Sequence, residues 1–494
     1  MPVSARARGV PRLLVAGTTA LIATLLSALV ALANVPLVQV SSDPFTNSSS
    51  MHATQVEPDT FSYGNTIVAT FQSGRFYDGG SSDIGWSTST DGGTTWVHGF
   101  LPGTTVYATP PGPYARISDP AVAYDPAHGV WMIVSLPLPG AGVGSEVYIS
   151  RSTNGGLTWQ NPVSAYNPGG GLDKTWIACD GWPSSPYYGH CYAEWDDNYA
   201  GNVLNMVTST DGGLTWGPVG IPGGSPSGLG GQPVALPNGT VVVPYSANYG
   251  GINSFRSTDG GQTWGGAITV SGTTYHSVTG MRAYPMPAAE VDPGGRVYVV
   301  WHDCRFRSGC SANDIVMSSS VDGLTWTPVV RIPIDAVTSG VDHFLPGIAV
   351  GTMRADPVSR LALTYYYFPT ANCSVATCQL MVGYVSSWDG GRTWSAPTQL
   401  AGPMTITWLP QTNQGYMVGD YISTSFAADG TAHPVFAVAH APSGSTYDEA
   451  MYAPATGLPL GPTGQSVIAG RDKPLVYVAP NPLQLLRGAL PTAH

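Results

Sequence analysis

An all-β fold, a β-propeller of four-stranded antiparallel blades, is predicted by three observations on this chain of 494 residues: a phrase that returns six times, the length of chain between its copies, and the composition. The phrase is Ser89-Thr90-Asp91-Gly92-Gly93-Thr94-Thr95-Trp96, then Ser152 to Trp159, Ser209 to Trp216, Ser257 to Trp264, Ser320 to Trp326 and Ser387 to Trp394. Repetition at long intervals marks one supersecondary unit built over and over. The third position falls at Asp91, Asn154, Asp211, Asp259, Asp322 and Asp389, in steps of 63, 57, 48, 63 and 67 residues. That length suits a four-stranded blade with loops and is too long for ankyrin, TPR or leucine-rich repeats. The chain holds 62 glycines, 43 prolines, 14 tryptophans and 25 tyrosines against 10% charged residues, which describes many short strands joined by tight turns.

Within the phrase, Asp-Gly-Gly is turn chemistry. A short acceptor side chain bonds nearby amides, the glycines accept positive φ, and the following Thr and Trp start a strand with a large ring to bury. The phrase therefore reads as a hairpin staple. It resembles the Asp-box, or BNR, repeat of the sialidase superfamily, Ser-x-Asp-x-Gly-x-Thr-Trp. Four copies match fully, Asn154 replaces Asp in the second, and the copy at Asp322 is one residue short. The resemblance implies a sialidase-like propeller with each box between the third and fourth strands of a blade, on the face opposite the active site.

Whole units outnumber the boxes. Opening segments stand near Phe61, Ile117, Lys174, Gly231, Arg282, His343 and Met417, each followed by an apolar strand such as Val130 to Leu136, Thr240 to Tyr245, Arg296 to Trp301 or Leu361 to Tyr367. The last unit has no box. Seven units predict seven blades, with the six of a plain sialidase as the alternative. The N-terminal strand Val35 to Val40 or the C-terminal Leu475 to Val478 is expected to complete the last blade and remove its open edge. The domain plan is then a leader over 1–33, a loose segment with the ring-closing strand over 34–50, one propeller over 51–480, and a tail over 481–494.

The leader carries Arg6, Arg8 and Arg12 ahead of an apolar run from Leu13 to Ala33 that closes with Ala31-Leu32-Ala33. This is the pattern of a cleaved signal peptide, with an uncleaved membrane anchor as the alternative. Both place the domain outside the cytoplasm, secreted or anchored at the cell surface. Six cysteines in three close pairs, Cys179 with Cys191, Cys304 with Cys310 and Cys373 with Cys378, then read as disulfides. No CxxC spacing supports a metal site. Asn47, Asn238 and Asn372 stand in glycosylation sequons, relevant only in a host that glycosylates exported proteins. A net charge of −11 with only two lysines, Lys174 and Lys473, offers no basic stripe to a nucleic acid.

Function in a propeller concentrates at the channel mouth, where the innermost strands begin and the loops between second and third strands project. Starting positions supply Arg116, Asp119, Asp173, Lys174, Trp176, Gln232, Arg282, Tyr284, Asp342, His343, Asp420 and Tyr421. Loop positions add Trp195-Asp196-Asp197, Asn248-Tyr249, and Trp301-His302-Asp303 with Arg305 and Arg307. Rings that stack on pyranose faces, beside charged groups that bond hydroxyls or carboxylates, suit a glycan or glycoconjugate. The bland reading of the same residues is turn chemistry, bonding between neighbouring blades, and core packing for Trp176 and Trp301.

The sialidase resemblance implies three arginines on a substrate carboxylate, a tyrosine nucleophile activated by a glutamate, and an aspartate acid/base. Arg116, Arg282 and Arg305 are the candidates for the first role, Tyr421 for the second and Asp119 for the third, with Glu290 and Glu449 as glutamate partners. The family's Arg-Ile-Pro motif is absent. Ala115-Arg116-Ile117-Ser118 stands loosely in its place, but after the first box instead of before it. A glycosidase using paired carboxylates such as Asp119, Asp303 or Asp420 is a further reading. Motif mismatch and seven units favour a binding propeller; the polar mouth favours an exo-acting glycoside hydrolase of sialidase type. No cofactor is expected, although Asp196-Asp197, or Asp303 with Asp314, offers oxygens to a structural Ca²⁺.

Overall fold

The computed structural model describes residues 1, 35–248, 250–351 and 359–461. The leader, Tyr249, the segment Leu475 to Val478 and the tail lie outside these residues. The described chain is all-β. Its only helical pieces are three short 3-10 turns, Asn198–Ala200, Ser308–Cys310 and Ile406–Trp408, and no described helix is long and apolar enough to cross a membrane.

Antiparallel meanders, mostly of four strands, follow one another along the chain, the sheet organisation of a β-propeller. The first runs Gln55–Tyr63, Thr66–Arg75, Ser81–Ser89, Val97–Phe100, and the second Arg116–Asp125, Val130–Leu138, Val147–Ser152, Val163–Tyr166. The third has Leu172–Cys179, Cys191–Asp197 and Val203–Ser209, with a fourth line supplied by the bridge from Met206 to Gly220. Next comes a sheet opened by the short pieces Gly228–Leu229 and Val234–Ala235, then Val241–Ala247, Ile252–Ser257 and Ile268–Ser271. Two more four-stranded sheets open with Ala288–Val291 and Asp342–Gly351. The last sheet contains Ser423–Phe426, Ala432–Ala439 and Glu449–Pro454, and its outer strand is Leu37–Gln39, which pairs Leu37 with Pro454 and Gln39 with Tyr452.

The first strands of successive sheets pack on each other in chain order, and Ser423–Phe426 packs on Gln55–Tyr63. Side chains such as Val68, Trp86, Ile117, Trp131, Ile133 and Trp159 fill the space between the first two sheets. Each such burial contributes roughly 1.5–3 kcal/mol.

The repeated phrase sits between third and fourth strands and has a common hydrogen-bond pattern. Ser89 Oγ donates to Asp91 Oδ1 (2.8 Å) and accepts from Gly93 N (2.8 Å), while Thr95 N donates to Asp91 Oδ1 (2.9 Å). Asn154 keeps the pattern: Thr158 N donates to its Oδ1 (3.0 Å), and its Nδ2 donates to Thr158 Oγ1 (2.8 Å).

The phrase also spaces the sheets. A Cβ on Gly156 would stand 2.7 Å from Val68 of the preceding sheet, and one on Gly213 would stand 2.4 Å from Met132. Thr88 Oγ1 donates to Gly156 O (2.7 Å) and Arg151 Nε to Gly212 O (2.7 Å) across the same seams. At Gly93, φ is +86° and a Cβ would meet His433 of the last sheet at 2.4 Å. The first box thus rests on the last sheet as the others rest on their predecessors.

The expected disulfides Cys179–Cys191, Cys304–Cys310 and Cys373–Cys378 are all formed.

Candidate functional site

The innermost strands carry an irregularity that recurs near their starts. Pairing with the second strand shifts register between Val56 and Asp59, Ser118 and Ala121, Asp173 and Trp176, and Phe344 and Gly347. Within these bulges Glu57, Asp119, Lys174 and Leu345 adopt left-handed φ of 56°, 49°, 48° and 48°. A non-glycine residue held there costs about 1–3 kcal/mol, and such strain persists only where the surroundings over-determine it. The effect in the first three sheets is to aim Glu57, Asp119 and Lys174 at one another, while Leu345 packs in the apolar core.

Glu57, Asp119 and Lys174 form a buried ionic cluster with Asp420 and Arg282. Lys174 Nζ lies 3.1 Å from Asp119 Oδ1 and 3.5 Å from Glu57 Oε1, and donates to Asp420 Oδ2 at closer range. Asp420 also accepts from Arg282, through Nε at 2.7 Å and through Nη2. Gln72 donates to Glu57, and Arg75 Nη1 donates to Gln72 Oε1 at 2.8 Å. Glu57, Arg75, Asp119, Lys174, Arg282 and Asp420 are all buried.

Burial works against the Lys174 ammonium, but Asp119, Asp420 and Glu57 outweigh it and hold its pKa well above the ordinary lysine value. Burial would raise the Asp420 carboxyl, and Arg282 and Lys174 instead pull it far down. Glu57 is raised by burial, with Lys174 opposing and Asp119 and Asp420 adding to it. Burial likewise lifts the Tyr421 phenol well above its usual value, with Glu57 and Asp119 adding. Its OH donates to Pro120 O (2.9 Å), and its ring meets Trp176 edge-on at 4.9 Å. Beside the cluster, a narrow pocket is lined by Lys174, Trp176, Gln232, Met286, Pro287 and Tyr421. A hollow of about 390 Å³ on the flank of the fourth sheet, lined by Ser225, Tyr245, Asn253 and Thr269 among others, has no charged lining residue and stands apart from this chemistry.

Thus Asp119, Lys174, Arg282 and Asp420 come together, with Trp176, Gln232 and Tyr421 beside them. Asp173 is half-buried at the edge, accepting from Lys174 N (3.0 Å), and burial raises its carboxyl against the pull of Lys174. Gln232 Oε1 accepts from Ala289 N (2.9 Å), a link to the next sheet.

The other candidates have separate partners. Arg116 pairs with Asp78 (2.6 Å) and stands over the Phe76 ring. Arg305 donates to Asp303 (2.9 Å from Nε) and Ser271 (2.9 Å from Nη1), so the three candidate arginines share no partner. Asp342 Oδ1 accepts from Asn313 N (2.7 Å), and its Oδ2 lies 3.1 Å from His276 Nδ1. His343 Nδ1 lies 3.2 Å from Asn313 O. Trp301 is fully buried core; His302 beside it finds no partner for either ring nitrogen among the described residues, and burial lowers its pKa to about 4. Glu449 is buried with both carboxyl oxygens unpartnered among the described residues, and Glu290 is raised to about 8 by burial and the neighbouring Asp59.

For a cation, Asp314, Asp335 and His343 bring ligand atoms within 4.8 Å of each other. Arg307 donates to both carboxylates, and Arg331 donates to Asp335 and forms an ion pair with Asp314 (2.8 Å), so cationic side chains already fill the role of a metal. Asp303, facing Arg305, is satisfied in the same way, and Asp197 caps the turn at Tyr199 and Ala200.

Sequence reasoning missed Glu57, Gln72 and Arg75. A signal existed: Glu57-Pro58, Asp119-Pro120, Gln232-Pro233, Met286-Pro287 and Leu345-Pro346 repeat one dipeptide pattern at the opening of successive units.

No protein family model matches the chain, and no curated protein matches it. Similar solved structures include a protein of unknown function from Dyadobacter fermentans, at 18% identity over 71% of this chain and 99% of that one, with a TM-score of 0.45. The Trypanosoma rangeli sialidase in complex with the inhibitor DANA is 12% identical over 85% of this chain and 59% of that one, with a TM-score of 0.46. NanB sialidase from Streptococcus pneumoniae is 15% identical over 84% and 70%, with a TM-score of 0.41. At these values the likenesses carry no argument about function, which rests on the geometry.

Proposed function

We propose that this is an exported seven-bladed β-propeller that binds a glycan or glycoconjugate at its channel mouth without cleaving it. The observation that carries the reading is the mutual neutralisation of the axial cluster: Asp420 is held by Arg282 and Lys174, and Lys174 by Asp119 and Glu57 as well. Glycoside hydrolysis needs an acid and a nucleophile flanking open space. Here the carboxylates are locked in ion pairs, and Tyr421 is a buried neutral phenol donating to a carbonyl. What the pocket offers a ligand is the Trp176 ring and the Gln232 amide.

Seven blades are supported by the succession of first strands and by the strand Leu37–Gln39 completing the sheet without a box. Export is supported by the apolar run behind three arginines and by three disulfides, which persist in oxidising compartments. The acidic balance speaks against nucleic acid.

The test pairs a panel of fluorogenic glycosides, a sialoside included, with a glycan array, with and without Ca²⁺. Binding on the array that weakens in Trp176→Ala and Gln232→Ala, with no turnover on the panel, is expected. Turnover abolished by Asp119→Ala or Tyr421→Phe at unchanged melting temperature would overturn the reading in favour of a hydrolase.

A further inference from the structure

The far ends of the innermost strands carry a different chemistry from their starts. Gln55–Tyr63 ends in Phe61 and Tyr63, Arg116–Asp125 ends in Tyr124 and Asp125, and Leu172–Cys179 ends in a cysteine whose disulfide to Cys191 closes a loop bearing Tyr188. The rings form one assembly. Tyr63 and Tyr124 lie 4.4 Å apart between centroids, Tyr124 packs on buried Trp131 at 4.8 Å, and Phe61 meets Trp131 edge-on at 6.2 Å. Tyr188 comes to the same place through its neighbour Gly189, where a Cβ would stand 3.5 Å from Asp125 Oδ1 at the end of the Tyr124 strand.

Despite this packing the outer rings face solvent: Tyr63 is 53% exposed, Tyr188 38% and Phe61 37%. The hydroxyls of Tyr63, Tyr124 and Tyr188 have no hydrogen-bond partner among the described residues.

The loop that carries Tyr188 is fastened to the next sheet. Trp182 Nε1 donates to Ala235 O (2.6 Å), Ser184 Oγ to Pro237 O (3.0 Å), and His190 Nδ1 lies 3.1 Å from Gly260 O. At its tip Gly189, at φ +89°, packs so closely on the neighbouring turn that a Cβ would stand 2.6 Å from that of Ala127. The platform is therefore set before any ligand arrives, and rigid aromatic surface binds at low cost in conformational entropy.

We propose that this end of the fold is a second binding surface, a tyrosine platform for neutral glycan chains. Pyranose C–H faces stack on exposed rings, and three unpartnered phenols supply donors and acceptors to sugar hydroxyls. The platform residues Phe61, Tyr63, Tyr124 and Tyr188 include no lysine or arginine, and the acidic group beside them, Asp125, is paired with His128 (2.5 Å), so the platform offers no fixed cation to a phosphorylated, sialylated or nucleic acid ligand. The proposal is independent of the mouth site and uses none of its residues.

The test is titration of the full chain with cellohexaose, maltohexaose and chitohexaose, and with sialyllactose as the anionic comparator, followed by saturation-transfer NMR and calorimetry. At least one neutral hexasaccharide is expected to bind, with Tyr63→Ala and Tyr188→Ala each weakening it by about tenfold, the scale of one lost aromatic contact. Tyr188→Phe, which keeps the ring, should retain most of the affinity. Trp176→Ala at the mouth should leave it unchanged. Absence of neutral glycan binding, affinity indifferent to both alanine variants in a protein of unchanged melting temperature, or preference for sialyllactose would each overturn the proposal. Loss with Trp176→Ala alone would overturn it as well while supporting the mouth site.

Discussion

Asp119 and Lys174 meet at 3.1 Å from the innermost strands of adjacent sheets, and both hold left-handed backbone conformations, with φ of 49° and 48°, to do so. The ion pair and the two bulges are one construction. Neither side chain reaches the other from an ordinary extended strand, where alternation fixes which face each residue takes.

Replacing the lysine tests that construction. Lys174→Met removes the one cation shared by Glu57, Asp119 and Asp420 and leaves buried carboxylates under-compensated. Breaking a buried ionic network from one side costs about 3–5 kcal/mol. Chemical denaturation of the variant at pH 7 should show a loss of that order, diminishing at lower pH as the stranded carboxylates take up protons.

The pH dependence of the parent has a definite sign. Asp83 is fully buried; its Oδ1 accepts from Thr104 Oγ1 (2.6 Å) and Ile84 N (2.8 Å), its Oδ2 has no partner among the described residues, and burial raises its pKa to about 8. Asp59, raised to about 7, and Glu290, raised to about 8, add the same trend, again through burial. With folded values above unfolded ones near 4, these three groups hold more protons in the folded state and make stability fall as pH rises from about 4 to about 8, while His302, lowered to about 4, opposes the trend below about 6.5. Asp83→Asn mimics the protonated acid. Melting curves should show it raising the melting temperature at pH 8, leaving it near parent at pH 4, and flattening the slope between.

The six turns provide their own control. Asn154 satisfies the same backbone amide as the aspartates do. Asp211→Asn should therefore cost under about 0.5 kcal/mol, whereas Asp211→Ala strands the Thr215 and Leu214 amides and should cost about 1–2 kcal/mol. Equal losses for the two variants in urea titrations would show that the carboxylate charge, not the acceptor geometry, matters.

Removal of the Cys179–Cys191 disulfide, with 12 residues of sequence separation, should cost about 2–4 kcal/mol. Double substitution to alanine should also loosen the Tyr188 loop, seen as faster proteolysis between 180 and 190 than at the other turns.

How much was legible in advance follows the physics of each feature. The six boxes are local: Ser, Asp, Gly and Thr bond within five residues, so their repetition could be read directly as turns between strands. The unit without a box was found because Val435 to Ala439 keeps the period and apolar character of a second strand. At the mouth, Asp119, Lys174, Arg282 and Asp420 were singled out by their position at strand starts. What they do there was not readable, because Asp420 and Lys174 stand 246 residues apart and no local pattern records that one neutralises the other. Arg75 escaped for the same reason, as did the separation of Arg116 and Arg305 from Arg282, whereas Glu57 was marked by its place before a proline like Asp119. The tyrosine platform depends on three different sheets ending at one place, which appears only once the strands are in register.

The pairing of Leu37–Gln39 with Tyr452 to Pro454 has a consequence for the order of events during synthesis. More than four hundred residues must be made before this edge strand finds its partner, and contacts of such long sequence separation form late and slowly. Until then the first box has no His433 to rest on and the last sheet lacks its outer strand. The last sheet is therefore completed only after synthesis has passed Pro454. Deleting residues 35–40 should leave soluble, partly structured protein with an exposed edge prone to pairing with other molecules.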